Sequence, residues 1–383
     1  MTRPSRALAF VAIGGALTIT AACSGGGSDE EPPASESSSG VTASLLPPIA
    51  QAGADVASAD DAEAVIAART EPAEEGVELT LEQDAGSGWE EVGTAETNAA
   101  GTADFVVSGG TDASYRVSAD GGAPSKVSGT WTLESGDEFD GDALDPAQWY
   151  HRGGEYNPEG LRACSKGSPD AVDVSGGALA LRVQVDPDRA GESCEAKAAD
   201  GKSLGRFPYR LNGHVASTKL FRYGVTAARI KFQPARGQHG SFWFQSQLAA
   251  ANHEDAASGG AEIDVVEYFG RDDDDRLASF VYYPSPDGMA KEGDWIEEAS
   301  RFLTDQDDDW YKRYHVFALE WTEDEYVVRI DGQEAWRTDK GVSQQPEFVV
   351  LSLLSSDYEL PKLKGAPLPQ TMSVDWVRHW SQG

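Results

Sequence analysis

Residues 262–267, Glu-Ile-Asp-Val-Val-Glu, place three carboxylates within a stretch that otherwise has the apolar character of a buried strand. Successive side chains of a strand point to opposite faces, so Glu262 and Asp264 share one face. Strict alternation would put Glu267 on the apolar face, where an unpaired carboxylate costs several kcal/mol. One extra residue between Asp264 and Glu267, a β-bulge, returns Glu267 to the acidic face. We therefore predict a bulged strand with three carboxyls on one surface.

Three carboxyls on one face favour acid-base chemistry. At close range they cannot all ionise with ordinary pKa values, so one can stay protonated beside an ionised neighbour. The alternative is a solvated edge strand, in which the carboxylates are idle. Ala261, Tyr268 and Phe269 make the flanks too apolar for a freely exposed edge, which favours the buried strand.

The charge of the chain excludes one class of function. Its 383 residues include 31 Lys and Arg against 64 Asp and Glu, a formal net charge of -33. Such a chain repels the phosphates of a nucleic acid, and its acidity argues against a basic membrane-binding patch. We predict no nucleic-acid partner and interpret the acidity as solubility outside the cell.

The N-terminus has the layout of a signal peptide. Two arginines precede an apolar run over residues 7–22, which ends in small residues before Cys23. The run is too short for a comfortable membrane span. Residues 20–23 resemble a bacterial lipoprotein cleavage box, in which the cysteine is lipidated. We predict a lipoprotein signal peptide over residues 1–22 and a lipid anchor at Cys23 that holds the protein outside the cell membrane; a plain secretory signal is the alternative.

Two further cysteines, Cys164 and Cys194, remain in the chain. In an exported protein such a pair most simply forms one disulfide. No histidine stands at metal-ligand spacing from either cysteine. We therefore predict a disulfide rather than a metal site.

The sequence after the signal peptide divides into a tether and a small β module. Residues 23–58 are rich in Gly, Ser, Glu and Pro, which predicts a disordered tether. Residues 60–125 carry short alternating runs between turn residues, which predict a small β-sandwich. This stretch resembles the immunoglobulin-like modules of secreted bacterial enzymes. We interpret it as a spacer rather than a sugar-binding module, because Trp89 and Tyr115 are explained equally well as core aromatics.

Residues 128–383 predict one large all-β domain. Strands continue there with almost no helical periodicity, and Asn212-Gly213 and Asp331-Gly332 are hairpin signals. Many evenly spaced strands over such a length indicate a concanavalin-like β-jelly-roll sandwich. The concave face of such a sandwich can hold an extended polymer.

Six motifs follow one another in this region. They are Asp137-Glu138-Phe139-Asp140-Gly141, Tyr223-Gly224, Ser241-Phe242-Trp243, the acidic hexapeptide, Tyr314-His315-Val316-Phe317 and Val374-Asp375-Trp376-Val377-Arg378. In this order they resemble glycoside hydrolase family 16, the family of laminarinases, lichenases and agarases. The resemblance spans nearly all of the large domain.

The resemblance implies a role for each acid of the hexapeptide. Carried over residue by residue, Glu262 is the nucleophile, Asp264 assists it and Glu267 is the acid/base. The bulged spacing is that of the laminarinases. Retaining hydrolysis needs two carboxyls roughly 5 Å apart, one ionised and one protonated. We expect Glu262 to be ionised and hydrogen-bonded by Asp264, and Glu267 to have a raised pKa.

Several residues near the motif are candidate sugar-binding groups. An aromatic face stacks on the apolar face of a pyranose ring, which makes Trp243 the first candidate. The others are Trp295, Trp310, Tyr282, His239 and Gln238. Each also has a structural interpretation, as a core aromatic or a turn residue. Laminarinases usually carry a histidine where Tyr282 is the nearest match, so the resemblance does not carry over recognition on the leaving-group side.

No cofactor is required for this chemistry, but the resemblance implies a structural calcium on the convex side. Glu138 and Asp375 are the expected contributors. Two acidic runs, residues 272–275 and 307–309, lack the spaced ligand pattern of a calcium loop. We interpret both as solvated acidic turns.

The residues and the resemblance together predict a lipid-anchored, monomeric, retaining endo-β-glycanase that acts on an extracellular polysaccharide, with β-1,3-glucan as the first choice. A transglycosylase or a galactan-active member of the same family is the nearest alternative. A non-catalytic cell-surface glycan-binding protein is an alternative of another class, because a fold alone does not fix activity.

Overall fold

The computed structural model describes residues 40–84, 86–108, 113–120, 122–248, 252–271 and 277–383. The predicted signal peptide, Cys23 and the acidic run at 272–275 lie outside these ranges. Within the described ranges, no helix has the length and apolar character needed to cross a membrane.

The N-terminal strands form a small module of two facing sheets. The strands are β1 (Gly40–Ala50), β2 (Glu63–Glu71), β3 (Glu78–Asp84), β4 (Trp89–Glu96), β5 (Thr102–Val107), β6 (Ser114–Ala119) and β7 (Ser125–Lys126), with a 3-10 turn at Ala59–Asp61. The sheets β1-β2-β5 and β4-β3-β6-β7 share an apolar cluster that includes Ile66, Phe105, Leu79 and Val117. Two facing sheets agree with the predicted small β-sandwich. The likeness to immunoglobulin modules stays a prediction.

The predicted tether is wrong from residue 40 onward. Residues 40–50 form β1, which pairs antiparallel with β2. Leu45 packs into the core of the module, whereas Leu46 and Ile49 belong to a second buried cluster. The Gly, Ser and Pro content indicated disorder, but apolar side chains on both faces of this strand bury enough surface to order it.

The remaining elements build the large domain. The strands are β8 (Trp131–Asp137), β9 (Trp149–His151), β10 (Ser165–Gly167), β11 (Val172–Ser175), β12 (Ala178–Val185), β13 (Ser193–Lys197), β14 (Ser203–Pro208), β15 (Arg210–Ser217), β16 (Gly224–Lys231), β17 (His239–Ser246), β18 (Glu262–Tyr268), β19 (Leu277–Ser285), β20 (Gly288–Trp295), β21 (His315–Trp321), β22 (Tyr326–Ile330), β23 (Gln333–Thr338), β24 (Glu347–Leu354) and β25 (Gln370–Gln382). A short helix, α1 (Ala256–Gly259), precedes β18, and 3-10 turns lie at Pro169–Ala171, Pro187–Arg189, Ala299–Phe302 and Leu360–Leu363.

These strands form the two layers of the predicted jelly-roll sandwich. The front layer has the order β20-β19-β18-β17-β24-β15, and the back layer has the order β12-β25-β16-β21-β22-β23. Strand β15 also pairs with β12, which joins the layers. Phe242 and Ile263 of the front layer and Ile230 and Phe317 of the back layer belong to one buried cluster. The acidic hexapeptide therefore lies inside the front layer, with β17 and β19 on either side.

One hairpin signal is confirmed and the other is wrong. Asp331 and Gly332 join β22 to β23, and both have positive φ angles, 45° and 83°. Asn212 and Gly213 instead lie inside β15 and are buried. A Cβ atom on Gly213 would come within 2.7 Å of the Leu181 backbone. This glycine permits close strand packing rather than a turn.

The predicted disulfide between Cys164 and Cys194 is confirmed, with 5.4 Å between their Cα atoms. It ties the start of β10 to the hairpin of β13 and β14. Both cysteines are buried.

The expectation of a solvated turn at residues 307–309 is wrong. Asp308 and Asp309 are each 5% exposed. Asp308 accepts hydrogen bonds from Thr304 and lies 3.4 Å from Nε2 of His315. The imidazole ring and the Thr304 donors compensate for the burial of this carboxylate, which a solvated turn would not require.

The small module packs directly on the back layer. Leu46, Ile49 and Val65 of the module form one buried cluster with Val316 and Trp376 of the large domain. This buried apolar cluster contains residues from both sides of the junction. The module and the large domain belong to one compact unit.

Buried arginines add polar contacts to this junction. Arg329 of β22 is 3% exposed and pairs with Asp104 of β5 at 2.6 Å. Arg229 of β16 donates to the backbone carbonyls of Gln51 and Asp55. Partners on both sides of the junction thus satisfy two buried cations, which fixes the orientation of the module.

Candidate active site

The hexapeptide strand β18 contains the predicted bulge. Against β19, Asp264 pairs with Phe280 and Glu267 pairs with Ala278, so three steps along β18 face two steps along β19. The register with β17 shifts at the same place. One residue of β18 is therefore extra, and the prediction is confirmed.

The apolar residues of β18 explain why the strand bulges here. Ile263, Val265 and Val266 are all fully buried in the main core. Two consecutive buried valines require the strand to break its alternation, because both side chains gain by leaving water. The break sends the next side chain, Glu267, back to the open face.

All three carboxyls line one cavity of about 390 Å³ on the front layer. Glu262, Asp264 and Glu267 thus share a surface, as predicted. Other groups that line this cavity are Arg152, Arg162, His239, Trp243, Tyr282 and Tyr358.

Burial and mutual repulsion keep these carboxyls from ionising together. Burial raises the pKa of Asp264 well above its ordinary value, and the charges of Glu267 and Glu262 raise it further. Burial also raises the pKa of Glu262, with Glu267 as the next cause. The pKa of Glu267 is raised by burial and held back by His239. Such a cluster can hold a proton on one acid beside an ionised partner.

Glu267 lies against a charged pair that the sequence did not predict. Nε2 of His239 is 4.0 Å from Oε1 of Glu267, and Nδ1 of the same ring is 2.8 Å from Oε2 of the buried Glu359. Although burial opposes the charge, Glu359 raises the pKa of His239. Ser241 donates a weak hydrogen bond of 3.4 Å to Glu267.

Glu262 has a different set of neighbours. Gln245 donates to it at 3.4 Å, and Arg152 donates to Gln245 at 2.7 Å. The predicted hydrogen bond from Asp264 to Glu262 is absent among the side-chain contacts of the described site. Residues two apart on a strand are about 7 Å apart along the chain, so their carboxyls need not touch.

Trp243 lines the cavity, as predicted for a sugar platform. Its indole N–H donates to Oγ of Ser352 at 3.1 Å, and its ring stacks on His214 with 6.3 Å between centroids. The guanidinium of Arg152 lies 5.6 Å from the ring centroid. These contacts hold the indole in one orientation at the floor of the cavity.

The sequence profile of glycosyl hydrolases family 16 matches residues 172–378. The match covers more than half of the chain and includes the bulged strand with its three acids. The chain belongs to glycoside hydrolase family 16. It is a glycoside hydrolase, and a retaining, endo-acting mechanism is consistent with that family.

Solved structures show the same fold. The catalytic domain of an endo-1,3-β-glucanase (laminarinase) from Thermotoga petrophila RKU-1 is 19% identical, covers 66% of this chain and 99% of its own, and has a TM-score of 0.50. The endo-β-1,3-glucanase from Pyrococcus furiosus is 19% identical over 67% of this chain and 96% of its own, with a TM-score of 0.50. The κ-carrageenase from Pseudoalteromonas carrageenovora, in complex with an oligotetrasaccharide of κ-carrageenan, is 18% identical over 67% and 96%, with a TM-score of 0.51. A search of curated protein sequences gives no significant match.

Two predicted sugar-binding residues of this family 16 site are placed elsewhere. Trp310 is 0% exposed and packs against His315 and Phe317 in the main core. Gln238 is also 0% exposed, and its amide donates to the carbonyls of Ala235 and Arg236. Both predictions are wrong, because a fully buried side chain cannot reach a sugar. Sequence proximity to the motif did not reveal which way these side chains point.

Three other predicted residues lie on or near the family 16 cleft. His239 and Tyr282 line the cavity, and Tyr282 pairs with Glu262 across β18 and β19. Trp295 is 39% exposed at the end of β20, with Phe269 at 5.5 Å from its ring. The described lining of the cavity does not include Trp295, so its role in binding stays a prediction.

The residues around Glu138 and Asp375 do not fit a calcium site. Glu138 accepts hydrogen bonds from the backbone N–H of Ala59 and from Arg378. Asp375 accepts from the backbone N–H of Ala57 and from Arg229. Both carboxylates already face a cation, and a calcium ion would be repelled by it. Among the described residues, no three Asp, Glu, His or Cys side chains converge to hold a metal ion.

Sequence reasoning missed Arg152, Arg162 and Ser352, which line the family 16 cleft, and the buried Glu359, which pairs with His239 behind it. These four residues lie about a hundred residues from the acidic motif along the chain. An arginine between turn residues and a glutamate after a strand carry no local signal. Their part in the site comes from the sandwich, which brings β9, β15 and β24 beside β17 and β18.

Proposed function

We propose that this family 16 hydrolase is a retaining endo-β-glycanase that cleaves an extracellular β-linked polysaccharide. The observation that carries the proposal is the bulge in β18, which puts Glu262, Asp264 and Glu267 in one cavity. A purely glycan-binding surface would not need three carboxyls with raised pKa values. β-1,3-Glucan is the first substrate to test, because two of the similar structures carry that activity in their names.

The reaction proceeds in two steps at the anomeric carbon. Ionised Glu262 attacks that carbon and forms a glycosyl ester, while protonated Glu267 gives its proton to the departing glycosidic oxygen. In the second step Glu267 takes a proton from water, and the resulting nucleophile displaces Glu262 from the anomeric carbon. Asp264, whose pKa is raised by burial, stays protonated in both steps, so its position between the two glutamates adds no further negative charge.

The two glutamates are suited to different roles by their surroundings. Gln245 donates to Glu262, and the Arg152 and Arg162 charges lower the pKa of Glu262 against its burial. Glu267 is more deeply buried in its neighbourhood of Tyr358 and Glu359, which favours the protonated form. The rings of Trp243 and Tyr282 lie on the same cavity, where they can stack on sugars.

Reducing-sugar release from laminarin, mixed-linkage glucan, agarose and κ-carrageenan tests the proposal. Glu262→Ala is expected to lose nearly all activity, whereas the exposed control Glu254→Ala is expected to keep wild-type activity. Azide added to Glu262→Ala is expected to restore cleavage with an α-glycosyl azide product, because the anion attacks the face that Glu262 vacates. If Glu262→Ala keeps more than about one hundredth of the activity, Glu262 is not the nucleophile.

We also propose that Cys23 anchors the enzyme outside the cell membrane. The support is the apolar run that ends in small residues before this cysteine. Cys23→Ser is expected to move the protein from the membrane fraction to the medium. If wild type and Cys23→Ser are both found in the medium, the plain secretory signal is correct instead.

A further inference from the structure

We propose that Arg162 and Arg152 form an anion-binding subsite in the groove, and that the polysaccharide this enzyme cleaves carries sulfate or carboxylate groups. The inference rests on the proposed glycanase function and names the class of its substrate. An unsubstituted β-1,3-glucan, the first substrate to test, offers these two guanidinium groups nothing but hydroxyls, so the inference narrows the substrate to a polymer with charged substituents on its backbone.

Arg162 is the main observation. Its side chain lines the active-site cavity and also an adjoining cavity of about 440 Å³. Its guanidinium makes no hydrogen bond or ion pair with any residue that the structure describes, and its Nε is buried without a partner. A half-buried cation is normally paired, because its desolvation is otherwise uncompensated. An anionic group on the substrate would supply the missing partner.

Arg152 is placed beside the sugar platform. One of its terminal nitrogens donates to Gln245, and the guanidinium lies over the rings of Trp243 and Phe348 at 5.6 and 4.9 Å. Its other terminal nitrogen, Nη1, is buried without a partner among the described residues. A sugar stacked on Trp243 would therefore carry its substituents next to this arginine.

The two cavities join into a groove that crosses the strands. Arg162, His214 and Leu354 line both of them. The groove runs from β18 over β17 and β24 to β15, and then to the loop before Arg162. The far cavity also contains Lys166 and one carboxylate, Glu155. An extended polymer that lies in this groove passes both arginines.

A simpler role for Arg162, as a direct salt-bridge partner of Glu262, does not fit the geometry. No ion pair joins the two side chains, although Arg162 is close enough to lower the pKa of Glu262. Arginine–carboxylate pairs in direct contact are frequently bidentate, whereas Arg162 acts on Glu262 only at a distance. The overall charge of -33 opposes an anionic polymer at long range, so the binding of one would require local cations such as these two arginines.

The test compares polymers that share a backbone and differ in charge. One arm uses κ-carrageenan and its chemically desulfated form, and the other uses neutral, sulfated and carboxymethylated β-1,3-glucan. Wild type is expected to have a kcat/KM at least about 10-fold higher on one charged form than on its neutral parent. A preference for a sulfated polymer identifies sulfate as the bound group, whereas a preference for carboxymethylated glucan alone identifies carboxylate. A preference for the neutral polymers in both arms overturns the proposal.

Variants assign the preference to the subsite. Arg162→Gln is expected to lower kcat/KM about 10- to 100-fold more on the charged polymer than on its neutral parent, because any effect of Arg162 on the pKa of Glu262 acts equally on both polymers. Arg162→Lys keeps the charge, and its preference for the charged polymer should lie between those of wild type and Arg162→Gln. The exposed control Arg206→Gln should match wild type. An equal loss on both polymers overturns the proposal, since it indicates a structural role.

Glu262→Ala separates this inference from the proposed function. It should remove cleavage of every polymer and still bind a charged oligosaccharide more tightly than the neutral one in calorimetry, with a salt-dependent affinity. If Glu262→Ala still cleaves, the glycanase assignment fails. If it is inactive but binds the two oligosaccharides equally, only the anion subsite fails.

Discussion

Nδ1 of His239 lies 2.8 Å from Oε2 of Glu359, and the two side chains form a buried charged pair directly behind Glu267. The pair comes from strand β17 and from the loop after β24, which are 120 residues apart in sequence. Its position gives the protein a means to set the protonation of Glu267, the proposed acid/base. The charge of His239 favours ionised Glu267, whereas burial and Glu359 favour the protonated acid.

Replacing His239 by Gln should move the alkaline limb of the kcat/KM profile to higher pH. The limb falls where Glu267 loses the proton that it gives to the leaving oxygen. His239 lowers the pKa of Glu267, so its removal raises that pKa, and the uncompensated charge of Glu359 acts in the same direction. His151→Gln, at an exposed position of β9, is the control. A limb that stays in place or moves to lower pH would contradict the assignment of Glu267.

Deleting Val265 should abolish activity and lower the midpoint of thermal unfolding. Without the extra residue the strand regains strict alternation, and Glu267 turns into the main core. Val265→Ala keeps the register and should cost about 2 kcal/mol in the free energy of unfolding while activity remains within about 10-fold of wild type. Circular dichroism and reducing-sugar assays measure both. An active deletion variant would show that the bulge is not what presents Glu267.

His315 should make the protein lose stability at alkaline pH. Its ring is fully buried between Asp331, at 2.6 Å, and Asp308, at 3.4 Å. Burial opposes the charge, but hydrogen bonds to Asp308 and Asp331 raise the pKa of His315 to about 9. The contribution is therefore full below the unfolded pKa of about 6.5 and is lost as pH rises through about 9, with an upper bound of about 3 kcal/mol.

The measurement is the free energy of unfolding in urea between pH 6 and about 10. Burial raises the pKa of Glu347 to about 8, so Glu347 also lowers the free energy of unfolding as pH rises from 6 to about 8. The comparison is therefore between wild type and His315→Gln, which share Glu347. The gap between them should shrink at the alkaline end. A constant gap would mean that His315 is neutral in the folded protein.

The small module and the large domain should unfold together. Ile49 is 0% exposed in the cluster that spans the junction, so Ile49→Ala should cost about 2–5 kcal/mol in the free energy of unfolding. Val106→Ala, at a position that is 44% exposed, should change it by less than about 0.5 kcal/mol. Differential scanning calorimetry should show one transition in both variants. Two separate transitions would mean that the module folds independently.

The sequence by itself determined the bulged acidic strand β18, because its pattern is local. Alternation, two adjacent valines and three acids are enough to predict the bulge between Asp264 and Glu267, since only a bulge buries every apolar side chain and leaves every carboxyl in the cleft. The hairpin at Asp331-Gly332 and the pairing of Cys164 with Cys194 were predictable for similar reasons: a turn needs positive φ angles, and an exported protein oxidises its cysteines.

Tertiary structure decided which residues surround that strand. The packing of the two layers decides that Trp243 lines the cleft and that Trp310 is buried. Residues 40–50 are ordered because they pack against two cores, one on either side of the strand. Arg162, His239 and Glu359 acquire their electrostatic roles only when the layers bring them within a few ångströms of the acids. Local periodicity encodes the direction of a side chain along its own strand, whereas its partners across the sandwich are set by long-range packing.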